Sequence, residues 1–310
     1  MKVLALSGGI GGAKLALGLY RVLPPGALTV IANTGDDFEH LGLSISPDVD
    51  TLLYTLSGTD NPKLGWGRRD ETWTFMAALE TLGGETWFQL GDGDLATHVE
   101  RTRRLAAGET LSHITDDFRR RLGIAARLLP MTDGRVRTRL RSAEGWLDFQ
   151  DYFVRRRASP VVREITYAGA TEARANAEFL VALADDRLEM VVICPSNPFL
   201  SIDPILSLPS VREALRGTHA PVVAVSPIIG GKSVKGPTGK LMAELGLPVT
   251  PASVARHYAD ILDMYIVDET DADATEDITI PVQSTRTLMV TLEDRDALAK
   301  AVLAAASRGF

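Results

Sequence analysis

Short apolar runs alternate with longer amphipathic stretches along most of the chain. Residues 2–6 are one lysine and a short apolar run, and a glycine-rich loop follows them. A helix-like stretch over residues 12–22 and a second apolar run over residues 28–32 come next. A repeated order of strand, loop and helix predicts parallel strands joined by crossover helices. We therefore expect an α/β protein with a Rossmann-like, doubly wound, mainly parallel sheet.

The same alternation continues to the end of the chain. Apolar runs predict strands near residues 87–90, 188–194, 222–225, 264–267 and 288–290. Amphipathic spacing predicts helices near residues 51–57, 70–82, 94–106, 111–122, 172–184, 238–245, 251–257 and 295–306.

The middle of the chain has a different pattern. Arginines alternate with smaller residues from Arg135 to Arg141, and the alternation resumes over residues 146–149 after Glu144-Gly145, which predicts a hairpin. We therefore expect residues 1–65 and 170–310 to form a Rossmann-like nucleotide-binding core. Residues 66–169 are predicted to form an inserted helical and hairpin subdomain that covers the sheet.

Composition narrows the class of protein. The 310 residues are 45% hydrophobic with a mean hydropathy of +0.05, which predicts a globular fold. A net charge of −7 argues against a general nucleic-acid binder, and no apolar stretch approaches the ~20 residues that cross a bilayer. The single cysteine, Cys194, lies in an apolar run, so we expect an inert core thiol in a reducing cytoplasm.

A glycine-rich loop, Gly8-Gly9-Ile10-Gly11-Gly12-Ala13-Lys14, follows the first predicted strand and opens the first predicted helix. Free amides at a helix N-terminus attract anions, and glycines let the backbone approach a ligand. The spacing differs from the dinucleotide-binding pattern G-x-G-x-x-G, and Gly12-Ala13-Lys14-Leu15 lacks the Ser or Thr that ends a P-loop. The loop alone is therefore a weak indication of phosphate binding.

Four aspartates, Asp36, Asp37, Asp48 and Asp50, follow the second predicted strand within fifteen residues. Ligands bind at the carboxyl ends of strands in open α/β sheets. Carboxylates gathered there repel one another unless a cation or a proton joins them. We predict that all four bind Mg²⁺ directly or through water, and that this site together with the glycine loop and Lys14 serves phosphoryl transfer.

Three more polar loops follow predicted strands, at residues 195–198, 226–237 and 268–269. One such loop indicates only a turn, but several at one sheet edge favour a composite nucleotide site. Lys232 and Lys235 are then either phosphate clamps or ordinary surface lysines. The histidines form no zinc-type pair, and His98 is either a residue of the ligand site or a hydrogen-bonded structural histidine.

The ordered set of motifs resembles the 2-phospho-L-lactate transferase family of coenzyme F(420) biosynthesis. Single motifs are unspecific, whereas their order from residue 6 to residue 268 is specific to this family. The matching stretches are Leu6–Leu15, Asn33–Asp37, Ile45–Thr51, Gly65–Gly67, Leu95–His98, Leu129–Asp133, Phe149–Asp151, Pro195–Pro198 and Ala224–Gly231.

The resemblance implies a reaction. The donor is a guanosine diphosphate ester of a three-carbon acid of the lactate, enolpyruvate or glycerate type. A ribityl hydroxyl of a riboflavin-like deazaflavin attacks the phosphorus that bears the acid, GMP leaves, and Mg²⁺ assists. The family likeness also implies a cytoplasmic homodimer that acts on small molecules, without nucleic acid or membrane.

The resemblance also suggests roles for individual residues. The expected donor-binding residues are Gly8, Gly9, Gly11, Gly12, Lys14, Ser196, Asn197, Gly230, Gly231 and Lys232. The expected acceptor-binding residues are Asp50, Trp66, Gly93 and His98, beneath the inserted subdomain. Asp50 is the first candidate for the base that takes the proton of the attacking hydroxyl, and Asp48 is the second. Trp66 either contacts the ring or only anchors the insert, and Gly11→Val is expected to weaken nucleotide binding without disturbing the fold.

One position departs from the family pattern. The family often has Gly-Asp-Arg-Asp where this chain has Gly91-Asp92-Gly93-Asp94, so the contact expected of that arginine is lost or falls to Arg101 or Arg104. Two other classes of protein remain as alternatives. A nucleotide-sugar-binding regulator of the gluconeogenesis-factor type shares the glycine loop but is expected to have Gly-Gly-Ser-Ser-Gly in place of residues 45–50. A nicotinamide oxidoreductase is disfavoured by the loop spacing.

Overall fold

The computed structural model describes residues 1–62 and 65–306, the side chain of Ala306 excepted. The strands are β1 (Lys2–Ser7), β2 (Leu28–Ala32), β3 (Phe38–His40), β4 (Leu43–Ile45), β5 (Arg127–Pro130), β6 (Arg137–Ser142), β7 (Gly145–Asp148), β8 (Glu164–Ala168), β9 (Leu188–Ile193), β10 (Val222–Val225), β11 (Ile228–Ile229), β12 (Lys232–Ser233), β13 (Met264–Asp268) and β14 (Val282–Thr285). The helices are α1 (Gly9–Val22), α2 (Pro47–Ser57), α3 (Thr74–Thr81), α4 (Asp92–Ala106), α5 (Leu111–Arg121), α6 (Ala177–Leu183), α7 (Asp203–Leu206), α8 (Val211–Gly217), α9 (Thr238–Glu244), α10 (Pro251–His257) and α11 (Leu292–Ala306).

Seven strands form a parallel sheet in the order β14-β13-β10-β9-β1-β2-β5. From β1 the chain adds β2 and β5 on one side, and it later adds β9, β10, β13 and β14 on the other. The order therefore reverses between β1 and β9, and the crevice beyond the carboxyl ends of these two strands is the expected ligand site of such a sheet. The predicted fold class is confirmed.

Helices cover both faces of the sheet, which explains why its central strands are apolar almost throughout. One face packs on α1, α2 and α11, through side chains such as Leu15, Leu52 and Val302. The other face packs on α6 to α10, through side chains such as Phe179 and Leu241. Each fully buried Leu or Phe contributes about 1.5–3 kcal/mol relative to an exposed one, so the sheet is a rigid support for the loops at its edge.

Helix α2 carries two of the four predicted acids into the site. Pro47 occupies its first turn, where a missing amide hydrogen costs nothing, and Asp48 and Asp50 lie in the same turn. Carboxylates are stabilised there by the helix dipole. The helix ends at Gly58, whose φ of 70° is readily adopted by glycine.

Two strand predictions are wrong. Residues 87–90 form no strand, and Trp87 and Phe88 pack instead on the aromatic side chains of β3. Residues 288–290 are also irregular; Met289 is apolar because it packs under α1, while the more polar segment Val282–Thr285 forms the edge strand. Strand β5 was not predicted, because four residues are too few to show a clear periodicity. Strand β8 was not predicted, because the hydrophobic pattern indicated only two strands of the hairpin to which it adds a third.

Strand β5 bears on the predicted domain division. It lies within residues 66–169 but pairs with β2 in the central sheet. That range is therefore not separate from the sheet along its whole length, and the division into core and insert stays a prediction. The predicted hairpin over residues 135–149 is formed by β6 and β7, and β8 extends it to three strands.

Two expectations about composition have outcomes in the structure. Cys194 is a core residue, 1% exposed, and burial raises the pKa of its thiol to about 12, which makes it inert. No helix among the described residues is long and apolar enough to cross a membrane.

Candidate active site

A cavity of about 560 Å³ opens where the central strands end. It is lined by Gly8 after β1, Asp36 after β2, Pro195 after β9, Ser226 after β10 and Thr287 after β14. Its volume falls in the usual range for small-molecule sites. Segments from residues 66–67, 87–89 and 149–154 form the opposite wall.

The cavity brings together many, but not all, of the residues predicted from the sequence. Those in its wall are Gly8, Gly9, Gly11, Lys14, Asp36, Asp48, Asp50, Trp66, His98, Ser196 and Asn197. Those outside its wall are Gly12, Asp37, Gly93, Gly230, Gly231 and Lys232. The roles of all of them stay predictions.

The glycine loop is shaped by packing against its neighbours. The Gly9 amide donates to Asp48 Oδ1 at 2.6 Å, and the Gly8 amide donates to Ser196 Oγ at 3.3 Å. A Cβ at Gly11 would lie 2.5 Å from the carbonyl oxygen of Pro195, and one at Gly12 would collide with Ser196 and Ser7. The glycines therefore let α1 close against the loop that follows β9.

This packing corrects the expectation that Gly11→Val changes only ligand binding. Because the neighbour is a backbone oxygen, even Gly11→Ala is expected to lower the free energy of unfolding by about 1–3 kcal/mol, the usual cost of overpacking a core. Gly217→Ala in α8 is the matched control, because its Cβ would meet nothing within 4 Å. Urea unfolding of both variants measures the difference, and equal stabilities would contradict the packing role.

Asp36 and Asp48 face the cavity from opposite sides of one amide group. Asn33 Nδ2 donates to Asp48 Oδ2 at 2.9 Å and to Asp36 Oδ1 at 3.3 Å. Burial, reinforced by the negative charges of Asp48 and Asp37, raises the pKa of Asp36 well above its usual value. Burial also raises the pKa of Asp48 to about 6. The two acids are thus held close together in a site that disfavours their charges.

Asp37 lies behind this pair, outside the cavity wall. Its Oδ2 accepts a hydrogen bond from Ser46 Oγ at 2.8 Å, whereas its Oδ1 is buried with no partner among the described residues. Burial raises the pKa of Asp37 to about 7. A buried carboxyl group in this position favours the protonated form.

Asp50 is paired with a cation of the protein itself. Arg101, 1% exposed, donates from Nη1 to Asp50 Oδ2 at 3.0 Å and from Nη2 to Asp50 Oδ1. His98 Nδ1 lies 3.6 Å from Asp50 Oδ2, and His98 Nε2 lies 3.2 Å from Asp94 Oδ2. Tyr54 completes the network by donating to Asp94 Oδ1 at 2.6 Å. Asp50 therefore belongs to a buried polar network that starts at the cavity and continues into α4.

Binding of Mg²⁺ by all four acids, directly or through water, stays a prediction. Among residues 1–62 and 65–306, no three acids, histidines or cysteines are placed to hold one ion together. Mg²⁺, however, commonly takes one or two carboxylates and completes its octahedron with water and substrate phosphate. Asp36 and Asp48 offer hard oxygen donors that fit such a site, because their charges repel each other unless a cation joins them. Asp50 is paired with Arg101, and Asp37 lies outside the cavity wall.

The raised pKa values predict how stability depends on pH. An acid with a raised pKa in the folded state keeps its proton longer there than in the unfolded chain, so its favourable contribution is lost as pH rises. For Asp37 this loss runs from about pH 4, the unfolded value, to pH 7, the folded pKa. In EDTA, Asp37→Asn is expected to gain stability over the wild type across this window, on the order of a few kcal/mol.

Urea unfolding of both proteins between pH 4 and pH 8 tests this expectation. The asparagine side chain that replaces Asp37 can still accept the hydrogen bond from Ser46, so the comparison isolates the charge. A stability difference that does not change with pH would contradict it.

Aromatic residues of the opposite wall were not identified from the sequence as site residues. Trp87, Phe88, Phe149 and Phe153 line the cavity, and the rings of Phe149 and Phe153 stack with centroids 5.4 Å apart. Trp66 lies at the rim, 42% exposed, with its ring edge-to-face on Trp73. The stretches Gly65–Gly67 and Phe149–Asp151 were matching family motifs, and they are the sequence signals that pointed to this wall.

At Gly93, where the chain departs from the family pattern, the backbone forms a local hydrogen bond. The Gly93 amide donates to Glu71 Oε2 at 2.6 Å. Arg101 is engaged with Asp50, and Arg104 forms ion pairs with Glu109 and Asp117. Neither arginine lines the cavity, so the structure does not support either as a replacement contact.

Fold and cavity define the class of protein: a Rossmann-like α/β protein with a candidate ligand site at the topological switch point of the sheet. Comparison with known proteins is more specific. The model of the family described as "2-phospho-L-lactate transferase CofD" matches residues 3–305. The chain belongs to this family and is a transferase of coenzyme F(420) biosynthesis.

Similar proteins of known name agree with this assignment. The chain is 41% identical to a phosphoenolpyruvate transferase of Streptomyces griseus, over 96% of this chain and 95% of the relative. It is 38% identical to a phosphoenolpyruvate transferase of Mycobacterium tuberculosis, over 98% and 97%. A crystal structure of a UPF0052-family protein from Bacillus halodurans matches the fold with a TM-score of 0.63 at 15% identity, covering 97% of this chain and 98% of that chain.

Proposed function

We propose that the protein transfers a phosphoenolpyruvyl group from its guanosine diphosphate ester to the ribityl hydroxyl of a deazaflavin, with release of GMP. The choice of enolpyruvate follows the names of relatives that are 38–41% identical to this chain; lactate and glycerate types are the alternatives. One observation carries the proposal beyond the family: acids suited to phosphoryl transfer and an aromatic wall suited to a flat ring share one cavity.

The two sides of the cavity suit the two substrates. Gly8, Ser196 and Ser226 follow strands of the central sheet, where nucleotides bind in proteins of this class. Trp87, Phe149 and Phe153 offer apolar faces to the tricyclic ring of the acceptor. The ribityl chain would then reach from the aromatic wall toward Asp36, Asp48 and Asp50.

The acids of the cavity have different proposed roles, as metal ligands and as the base. When Mg²⁺ is bound, it supplies neutralisation of charge on the transferring phosphoryl oxygens. Asp36 and Asp48 would hold it, aligned by Asn33. Asp50 remains the first candidate for the base and Asp48 the second. Arg101 fixes the orientation of Asp50, and a carboxylate oxygen that accepts one hydrogen bond keeps a lone pair for the substrate hydroxyl.

Mass spectrometry of the products tests the proposed function. Purified protein is incubated with Mg²⁺, the deazaflavin and each of the three guanylated acids in turn. We expect a phosphodiester of the deazaflavin together with GMP, formed fastest from the enolpyruvate ester. Absence of any phosphodiester with all three donors would refute the proposal.

A binding experiment separates the other classes of protein. Titration with GDP, UDP-N-acetylglucosamine and NAD should show the tightest binding for GDP. Preference for the nucleotide sugar would favour a regulator of the gluconeogenesis-factor type. The homodimer and the cytoplasmic location stay predictions of the family resemblance and of the sequence.

A further inference from the structure

Some amides of both glycine-rich loops are engaged by side chains of the protein itself. At the first loop, Asp48 accepts from the Gly9 amide. At the second, Asp271 Oδ2 accepts from the Gly230 amide at 2.8 Å, and Asp271 Oδ1 accepts from the Gly231 amide at 3.0 Å. Both glycines of the second loop have positive φ, which turns successive amides toward one anion, and the buried carboxylate of Asp271 occupies that position. These engaged amides are not free to donate to a diphosphate, which makes cationic side chains near the cavity important for its charge.

Three cations lie close enough to one another to interact electrostatically. Lys14 comes from α1, Lys235 from the loop between β12 and α9, and Arg295 from α11; Lys14 and Lys235 line the cavity. Lys14 Nζ donates to the carbonyl oxygen of Met289 at 2.7 Å, which holds it beside residues 287–289 of the same wall. Burial and the positive charges of Arg295 and Lys235 lower the pKa of Lys14.

Unlike most basic residues in the described part of the chain, these cations form no close ion pair, although the negative charge of Asp294 acts on Lys14 from a distance. Arg101, Arg104 and Arg119 each form a close ion pair. In contrast, no carboxylate among the described residues forms an ion pair with Lys14, Lys235 or Arg295. The Nε atom of Arg295 is buried without a hydrogen-bond partner. Like charges held together in a partly desolvated site are unfavourable unless an anion joins them.

We propose that Lys14 and Lys235, reinforced by Arg295, form the subsite for the diphosphate of the donor. This inference rests on the proposed function and deepens it, because it assigns Lys235 to the donor. It also adds lysine point charges to the backbone amides as phosphate ligands. Lys232, the other lysine of this loop, lies outside the cavity wall.

Calorimetric titration with inorganic pyrophosphate in EDTA tests the subsite without the acids' metal or a nucleotide. We expect Lys235→Met to weaken pyrophosphate binding on the order of tenfold or more and to reduce its dependence on salt, as the loss of one exposed phosphate contact should. Lys300→Met, an exposed lysine of α11 outside the cavity, is the matched control and should bind as the wild type does. Lys235 is exposed and without polar partners in the described structure, so its replacement should leave the fold intact.

The outcomes separate this inference from the proposed function. Unchanged binding in Lys235→Met, an equal loss in Lys232→Met, or no binding of pyrophosphate to the wild type would each overturn the subsite, even if the transferase reaction proceeds. If Lys235 is required for pyrophosphate binding but the protein prefers UDP-N-acetylglucosamine to GDP, the subsite stands and the proposed function fails. A raised KM for the donor in Lys235→Met, with an unchanged KM for the deazaflavin, would support both.

Discussion

Replacing Arg101 by methionine is expected to lower the free energy of unfolding by about 3–5 kcal/mol, the usual cost of removing one partner of a buried ion pair. Arg101 is 1% exposed and forms two hydrogen bonds to Asp50. Without it, the carboxylate of Asp50 stays buried and uncompensated, with Asp94 and Tyr54 nearby in the same network. Denaturant unfolding at pH 7 measures the loss.

Two controls show whether the effect comes from the buried pair. Arg103→Met, in the same helix α4, removes an exposed arginine that pairs with Glu100, and it should leave stability nearly unchanged. The double variant Arg101→Met/Asp50→Leu should recover much of the lost stability, because replacing both charges by apolar groups removes the unpaired carboxylate. If the double variant is no more stable than Arg101→Met, the stabilising role of Arg101 lies in packing rather than in the ion pair.

Asp48→Asn is expected to lower turnover on the order of 10²-fold or more, the scale of losing one preorganised electrostatic element. Asp48 faces Asp36 across Asn33 at the cavity wall, where the proposed Mg²⁺ would bind. An asparagine can still accept the hydrogen bond from the Gly9 amide but not also the one from Asn33 Nδ2, so denaturant unfolding of the variant is measured beside its turnover. Steady-state rates at increasing Mg²⁺ measure the effect.

Asp37→Asn provides the comparison within the same loop. Asp37 lies outside the cavity wall, so its replacement should lower turnover much less than that of Asp48. A rate for Asp48→Asn within about threefold of the wild type at limiting Mg²⁺ would rule out Asp48 as a metal ligand or base.

The sequence predicted best what depends on local pattern. The alternation of strand, loop and helix indicated the parallel sheet, and the position of the acids after β2 placed Asp36 at the correct edge. Patterns failed where tertiary packing decides. Met289 is apolar because it packs on helices of one face, whereas Val282–Thr285 is polar because it forms the edge strand.

The parts of the site that the sequence could not predict are contacts between distant segments. Arg101 and Asp50 are 51 positions apart, and Gly230 and Asp271 are 41 apart. No periodicity joins such pairs, so the sequence could not predict that Arg101 pairs with Asp50 or that Asp271 accepts from the amides of Gly230 and Gly231. Trp87 and Phe88 were missed as wall residues because they lie in an irregular segment between α3 and α4.

The collision that any side chain at Gly11 would have with the Pro195 carbonyl has a consequence for how genomes are interpreted. A motif required for the joint between a helix and a neighbouring loop will persist in every descendant that keeps this joint, whatever ligand the descendant has come to use. A search with the GGxGG motif is thus expected to find proteins that share this fold but differ in activity. The substrates of such proteins should be assigned from the residues that correspond to Asp36, Asp48, Lys14 and Lys235 at the cavity.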